Sequence, residues 1–170
     1  MSEPKRGGIG TVLLILFRIV FTFFAIWSVC FIFKNSLEIG AVSSARSAAF
    51  TKALNKILTG IGMSPLSEAL VRKLAHYGEF TLSGFWFTLC LRVYTRHYIR
   101  HISWPLLLGL LIANTDELIQ LYVSGRSSSV KDVWIDFSGV CTGVFAGLVI
   151  LVLMSSVWYL LGFGSHKRME

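Results

Sequence analysis

Four of the chain's nine acidic residues, Asp116, Glu117, Asp132 and Asp136, fall between Asn114 and Gly143, a stretch bounded by long apolar runs. A carboxylate near the centre of a membrane helix costs about 2.5–3.5 kcal/mol on insertion scales, so several together need a reason. A second polar group lies upstream, where Arg72, Lys73, His76 and Glu79 crowd the start of another apolar run. Between the two acidic pairs comes Gly125-Arg126-Ser127-Ser128-Ser129. Three chemistries suit these residue types. His76 and Glu79 can act as base and orienter, with Asp116 or Glu117 completing a hydrolytic or transfer site. An arginine followed by hydroxyls and turn amides suits an anionic headgroup such as phosphate. Opposite charges alone form a buried network that fixes helix register.

Helices must position these residues. At about 100° per residue, Gly109, Ala113, Asp116, Glu117, Gln120 and Ser124 share one face. Asp132, Asp136, Gly139, Gly143 and Gly147 share another, and the glycines form two overlapping G-x-x-x-G spacings. Such a ridge lets two helix backbones approach closely. The short link at Gly125–Ser129 makes these two helices an antiparallel hairpin, so the ridge is expected to seat the Asp136 helix on the Asp116 helix. Arg126, following Gly125, is expected on an exposed turn at the membrane surface. Arg72, His76, Glu79 and Ser83 fall in a narrow arc of a helix running from Pro65 to about Tyr94, with Lys73 beside it and Ser64 as its N-cap.

Asp116-Glu117-x-x-Gln120, Gly125-Arg126-Ser127, Asp132, Asp136 and Gly139, preceded by Arg72-Lys73-Leu74-Ala75-His76-Tyr77-x-Glu79-Phe80, resemble the VanZ-like family of integral membrane proteins. The similarity covers roughly the last two thirds of the chain and departs at Ser124, where many relatives carry proline. The family is named for a teicoplanin-resistance protein. Teicoplanin is a lipidated glycopeptide acting on lipid-anchored cell-wall precursor, so the resemblance implies a role at that interface. Expected partners are membrane lipids and, by the resemblance, a lipid-linked cell-wall precursor or a lipoglycopeptide.

The chain of 170 residues is 54% hydrophobic with a mean hydropathy of +0.67, and its apolar residues come in runs long enough to span a bilayer. These features predict a single all-α domain: an integral membrane four-helix bundle with spans at about 11–33, 76–94, 102–122 and 132–161. Between the first two spans, Phe50, Leu54, Ile57, Leu58 and Ile61 line one helical face and Lys52, Asn55, Lys56 and Thr59 the other. That pattern predicts a basic amphipathic helix, ended by Gly60 and Gly62, that lies in the interface or packs over the bundle. Arg18 interrupts the first span; it snorkels to the N-terminal interface or pairs with a carboxylate on another helix. Cys30, Cys90 and Cys141 lie in apolar runs and are read as small buried hydrophobes without redox work.

A net charge of +7 without a DNA-reading motif excludes nucleic acid and fits loops beside anionic lipid. Lys5 and Arg6 against Lys34, and the short basic loop from Arg92 to His101, favour a multi-pass plasma-membrane protein with both termini cytoplasmic. Lys167 and Arg168 then lie inside as well. Alternation of spans brings Lys73, His76, Glu79, Asp116, Glu117, Gln120, Arg126, Ser127, Asp132 and Asp136 toward one surface, the extracytoplasmic one. The best-supported function is binding of an anionic lipid headgroup or lipid-linked precursor there. An acid–base enzyme, a ligand-free polar scaffold and a proton-coupled transporter remain as alternatives. No G-x-S-x-G, H-E-x-x-H or glycine-rich phosphate loop occurs, and no cofactor is assigned. No metal is assigned either, because His76 has no second histidine nearby and His97 and His101 lack acid or thiol neighbours.

Overall fold

The computed structural model describes residues 7–161, with side chains from Gly10 onward. Lys5, Arg6, Lys167, Arg168 and the polar tail from Gly162 lie outside the described residues. Within them the chain folds into five helices with no strand: α1 (Gly7–Ser36), α2 (Gly40–Gly60), α3 (Glu68–Tyr94), α4 (Ser103–Leu121) and α5 (Val130–Leu160). Two stretches, Gly10–Ser36 and Val130–Leu160, are long and apolar enough to cross a membrane. Neither is the core helix of a water-soluble fold, since only 11% and 28% of their most apolar windows are buried. Ile19, Phe23, Phe145 and Met154 point outward, while the interior holds Asp116, Asp136, Ser36 and Thr88.

α3 is the central helix, packed along α5 on one side and α1 on the other, with α4 against α5. Phe80, Phe87, Ile112, Ala113, Val140 and Val144 form the core between them. The glycine ridge of α5 faces α3, not α4. A methyl group at Gly139 would strike the Tyr77 carbonyl, one at Gly143 the Thr81 carbonyl, and one at Gly147 the Thr88 side chain. The hairpin partner α4 instead offers Gly109 to Val140. Helical periodicity fixes which residues share a face but not which helix meets it; the corrected partner is the one whose backbone stands closest.

The helix ends follow from local chemistry. α2 stops in a Schellman turn: Gly62 has φ +81°, Met63 N–H donates to Leu58 O (2.9 Å) and Gly62 N–H to Thr59 O (3.1 Å). Asn55 then clamps the link, donating to Leu66 O (2.9 Å) and accepting from Leu66 N–H (2.8 Å). Leu66 O is thus held by Asn55 instead of by a helical N–H, and α3 does not start at Pro65. It starts at Glu68, and Ser67, not Ser64, is the N-cap, accepting from Leu70 N–H at 3.3 Å. Ser129 caps α5 by accepting from Lys131 N–H at 3.2 Å.

The apolar face of α2 is divided: Phe50 and Ile57 are exposed, as is Ile61 just past its end, while Leu54 and Leu58 are half-buried. Arg18 is half-buried and has no carboxylate partner among the described residues. It donates from Nε to Val93 O (3.0 Å), at the end of α3, and its guanidinium lies 5.3 Å from the Tyr94 ring centre. A cation is favoured there by the carbonyls of a helix C-terminus and by the ring face. Cys30 and Cys141 are exposed on the outer faces of their helices and Cys90 is half-buried, so burial does not account for them.

Candidate functional site, a polar cluster at one end of the bundle

The polar residues meet where α1 ends, α3 begins, α4 ends and α5 begins. Asp116 and Glu117, successive residues of α4, are both buried, because the face they share with Ala113 and Gln120 turns inward. Asp116 accepts from Ser36 Oγ–H of α1 and, at 2.7 Å, from Gln120 Nε2–H one turn on. Glu117 has a structural role: it accepts Ser129 N–H at 2.8 Å, tying the end of α4 to the start of α5. Asp132 is ion-paired with Lys73 at 3.3 Å across the α5–α3 contact, both half-exposed at the rim. Asp136 is 1% exposed, and its Oδ2 has no hydrogen-bond partner.

His76 and Glu79 do not form a pair. Glu79 accepts from Asn35 Nδ2–H of α1 at 2.9 Å, whereas the acid closest to His76 is Asp116, with Nδ1 and Oδ2 4.0 Å apart. Shared placement on α3 gives the two residues a common direction, but the facing helices choose their partners. His76, Asp116 and Asp136 lie together, each with a ligand-type atom within 4.8 Å of the others. The grouping expected within α3 is therefore replaced by one drawn from three helices.

Arg126 is not an exposed rim arginine. Gly125 takes φ +73°, which turns the chain back toward α1 and α2. The half-buried guanidinium donates from Nη1 to Ser43 Oγ (3.0 Å) and from Nη2 to Asn35 O (3.1 Å), while Nε has no partner. Burial lowers its pKa below the ordinary arginine value, and the field of Asp116 opposes that shift. The turn itself is seated on α2: Gly40 N–H donates to Ser124 O at 3.0 Å, and a side chain at Gly40 would collide with the Gly125 carbonyl.

Two cavities open onto this cluster. The smaller, about 80 Å³, is lined by Lys73, Glu117, Gln120, Ser127, Asp132 and Asp136 together with Arg72, His76 and Arg126. The larger, about 470 Å³, lies among α1, α2 and α3 and includes Lys34, Arg46 and Glu79 beside Phe31, Phe50 and Val71. Arg72, His76 and Arg126 line both. Thus eight of the ten expected binding residues line the small cavity, Asp116 is buried beside two of them, Gln120 and His76, and Glu79 lines the neighbouring cavity. Asn35, Ser36 and Ser43 were missed by sequence reasoning. Asn35 and Ser36 are signalled only as the polar pair ending an otherwise apolar run, and Ser43, on α2, has no such signal.

The model of the family VanZ/LLP1 matches residues 9–154. The chain belongs to the VanZ/LLP1 family. The match reaches well beyond the motif blocks and takes in α1, which supplies Asn35 and Ser36. Membership in this membrane family and two outward-facing apolar helices make the chain a membrane protein. No curated protein and no solved structure matches it.

Proposed function

We propose that this VanZ/LLP1 protein binds an amphiphile with an anionic headgroup at the outer face of the cytoplasmic membrane. The observation that carries the reading is the wall shared by the two cavities. Arg72 and Arg126 both stand on it, and neither forms an ion pair with a carboxylate among the described residues. Guanidinium groups recognise phosphate and carboxylate by paired hydrogen bonds. A cavity of about 80 Å³ is far below the roughly 300–1,000 Å³ of drug-sized sites, so it suits a phosphate-sized group rather than a sugar or a glycopeptide. The larger cavity, with Phe31, Phe50 and Val71 beside the cations, suits the less polar part of such a molecule. Membership of a family named for teicoplanin resistance supports an envelope lipid or lipid-linked precursor as the ligand.

Four membrane spans accompany this reading, formed by α1, α3, α4 and α5. α3 and α4 carry their acids inward, leaving Leu82, Leu107, Leu111 and Leu118 toward lipid. α2 lies in the interface with Phe50, Ile57 and Ile61 toward the acyl chains. The bond from Arg18 to Val93 puts the start of α1 beside the basic loop after α3, away from the cluster. Positive charge at that end favours a cytoplasmic location and an extracytoplasmic cluster.

Arg72→Gln tests the ligand, because Arg72 is exposed and has no hydrogen bond to lose among those described. Native mass spectrometry of protein extracted with its lipids is expected to show several-fold less anionic lipid on the variant, with reduced lipoglycopeptide tolerance in cells. An unchanged lipid profile would sink the reading. The 4.0 Å approach of His76 to Asp116 favours a second reading, acid–base chemistry on the bound headgroup. Turnover of a labelled lipid that stops in His76→Gln, while lipid retention persists, would select it.

A further inference from the structure

We propose that His76, Asp116 and Asp136 form a divalent-cation site at the floor of the polar pocket. The three residues come from α3, α4 and α5, and a ligand atom of each lies within 4.8 Å of those of the other two. Asp116 and Asp136 are 0% and 1% exposed. The deciding observation is Asp136. Its Oδ2 is buried without a hydrogen bond, and no lysine, arginine or histidine ion-pairs with it among the described residues. Isolated ionised carboxylates are strongly penalised in a low-dielectric interior, and buried polar atoms in native proteins are normally satisfied. A cation bound by both carboxylates and the imidazole satisfies that oxygen and places a double positive charge against two negative ones.

Asp116 is already oriented as a ligand. Ser36 and Gln120 hold its two oxygens, one each, as outer partners hold metal-binding carboxylates. Neighbouring ligands around an ion at about 2.0–2.2 Å stand roughly 3 Å apart, so binding draws the triangle inward by up to about 2 Å. One nitrogen and two oxygen ligands suit Mn²⁺ or Zn²⁺ better than Ca²⁺, which takes only oxygen. The remaining coordination positions face the small cavity, because His76 and Asp136 both line it. This site stands on the protein's own ligands and does not depend on the anion reading.

The test uses full-length protein in detergent micelles, stripped with chelator and titrated with Mn²⁺ alone, no lipid added. Electron paramagnetic resonance of free Mn²⁺ gives the bound fraction. We expect one saturable site per chain, displaced by Zn²⁺, with affinity at least tenfold weaker in Asp136→Asn and in His76→Gln. Glu68→Gln, in the exposed first turn of α3 and outside both cavities, retains the parent affinity. His76→Gln carries the comparison if Asp136→Asn fails to fold, since His76 is partly exposed and the change keeps its polarity. The proposal is overturned if neither Mn²⁺ nor Zn²⁺ saturates a site, if His76→Gln binds as the parent does, or if Glu68→Gln weakens binding as much as His76→Gln.

Discussion

Replacing Gly143 by alanine should pry α3 from α5. An added Cβ would overlap the Thr81 carbonyl and come within 2.7 Å of Phe85 N, both backbone atoms of α3. A side chain could rotate away from the new methyl; a helix backbone can only translate. Overpacking of a close interface costs about 1–3 kcal/mol, sometimes more. Alanine in place of glycine inside a helix returns about 0.5–1 kcal/mol, so the net loss is about 1–2 kcal/mol at the middle of the range. Gly78→Ala is the internal control. It lies within α3 with nothing within 4 Å of the new atom, so the helix preference acts alone. It should therefore stabilise by about 0.5–1 kcal/mol. The assay is loss of helical circular dichroism as SDS is titrated into mixed micelles of each variant. The two midpoints should move in opposite directions, separated by about 1–3 kcal/mol, the overpacking cost alone, because the helix gain is common to both. If Gly143→Ala unfolds at or above the Gly78→Ala midpoint, the close α3–α5 contact is wrong.

Ser36→Ala removes a donor from fully buried Asp116. The loss should be about 1–3 kcal/mol in the same SDS titration, the cost of an unmatched buried acceptor, and an unchanged midpoint would reject that bond. The proposed topology predicts that, in a background with the native cysteines replaced, Ser128→Cys reacts with an impermeant thiol reagent on intact cells while His97→Cys does not; the reverse pattern would invert the orientation. Arg126→Lys should loosen the corner between α1 and α2, because one ammonium cannot span Ser43 Oγ and Asn35 O as the guanidinium does. Faster hydrogen exchange across 37–47 is the readout, and parental protection there would count against it.

The first half of α2 carried no boundary signal, whereas α4 and α5 were legible in the sequence, beginning and ending close to the boundaries that hydropathy predicts. So was the inward face of α4, since Gly109, Ala113, Asp116, Glu117 and Gln120 follow helical spacing. Partner choice was not legible. Gly139 and Gly143 advertise a close approach without naming the helix that makes it, and the chain's short hairpin pointed to the wrong one. The same gap separates His76 from Asp116, whose meeting depends on how α3 and α4 lie, not on spacing in either. Arg126 illustrates a third gap. Its position after Gly125 reads as a surface turn, but the positive φ of that glycine folds the turn back over α1 and α2.

The polar end of α1 has a consequence for how the protein is made. Asn35 bonds to Glu79, 44 residues later, and Ser36 to Asp116, 80 residues later, while the carbonyl of Asn35 waits for Arg126, 91 residues on. As the chain leaves the ribosome, α1 enters the bilayer long before any of these partners exists. Glu79 can find Asn35 once α3 arrives, but Asp116 comes only with α4, and the corner is locked only after the turn beyond it is synthesised. Assembly of the cluster is thus ordered by the chain itself, and a product released before Arg126 would carry Glu79, Asp116 and Glu117 without the contact that closes the corner.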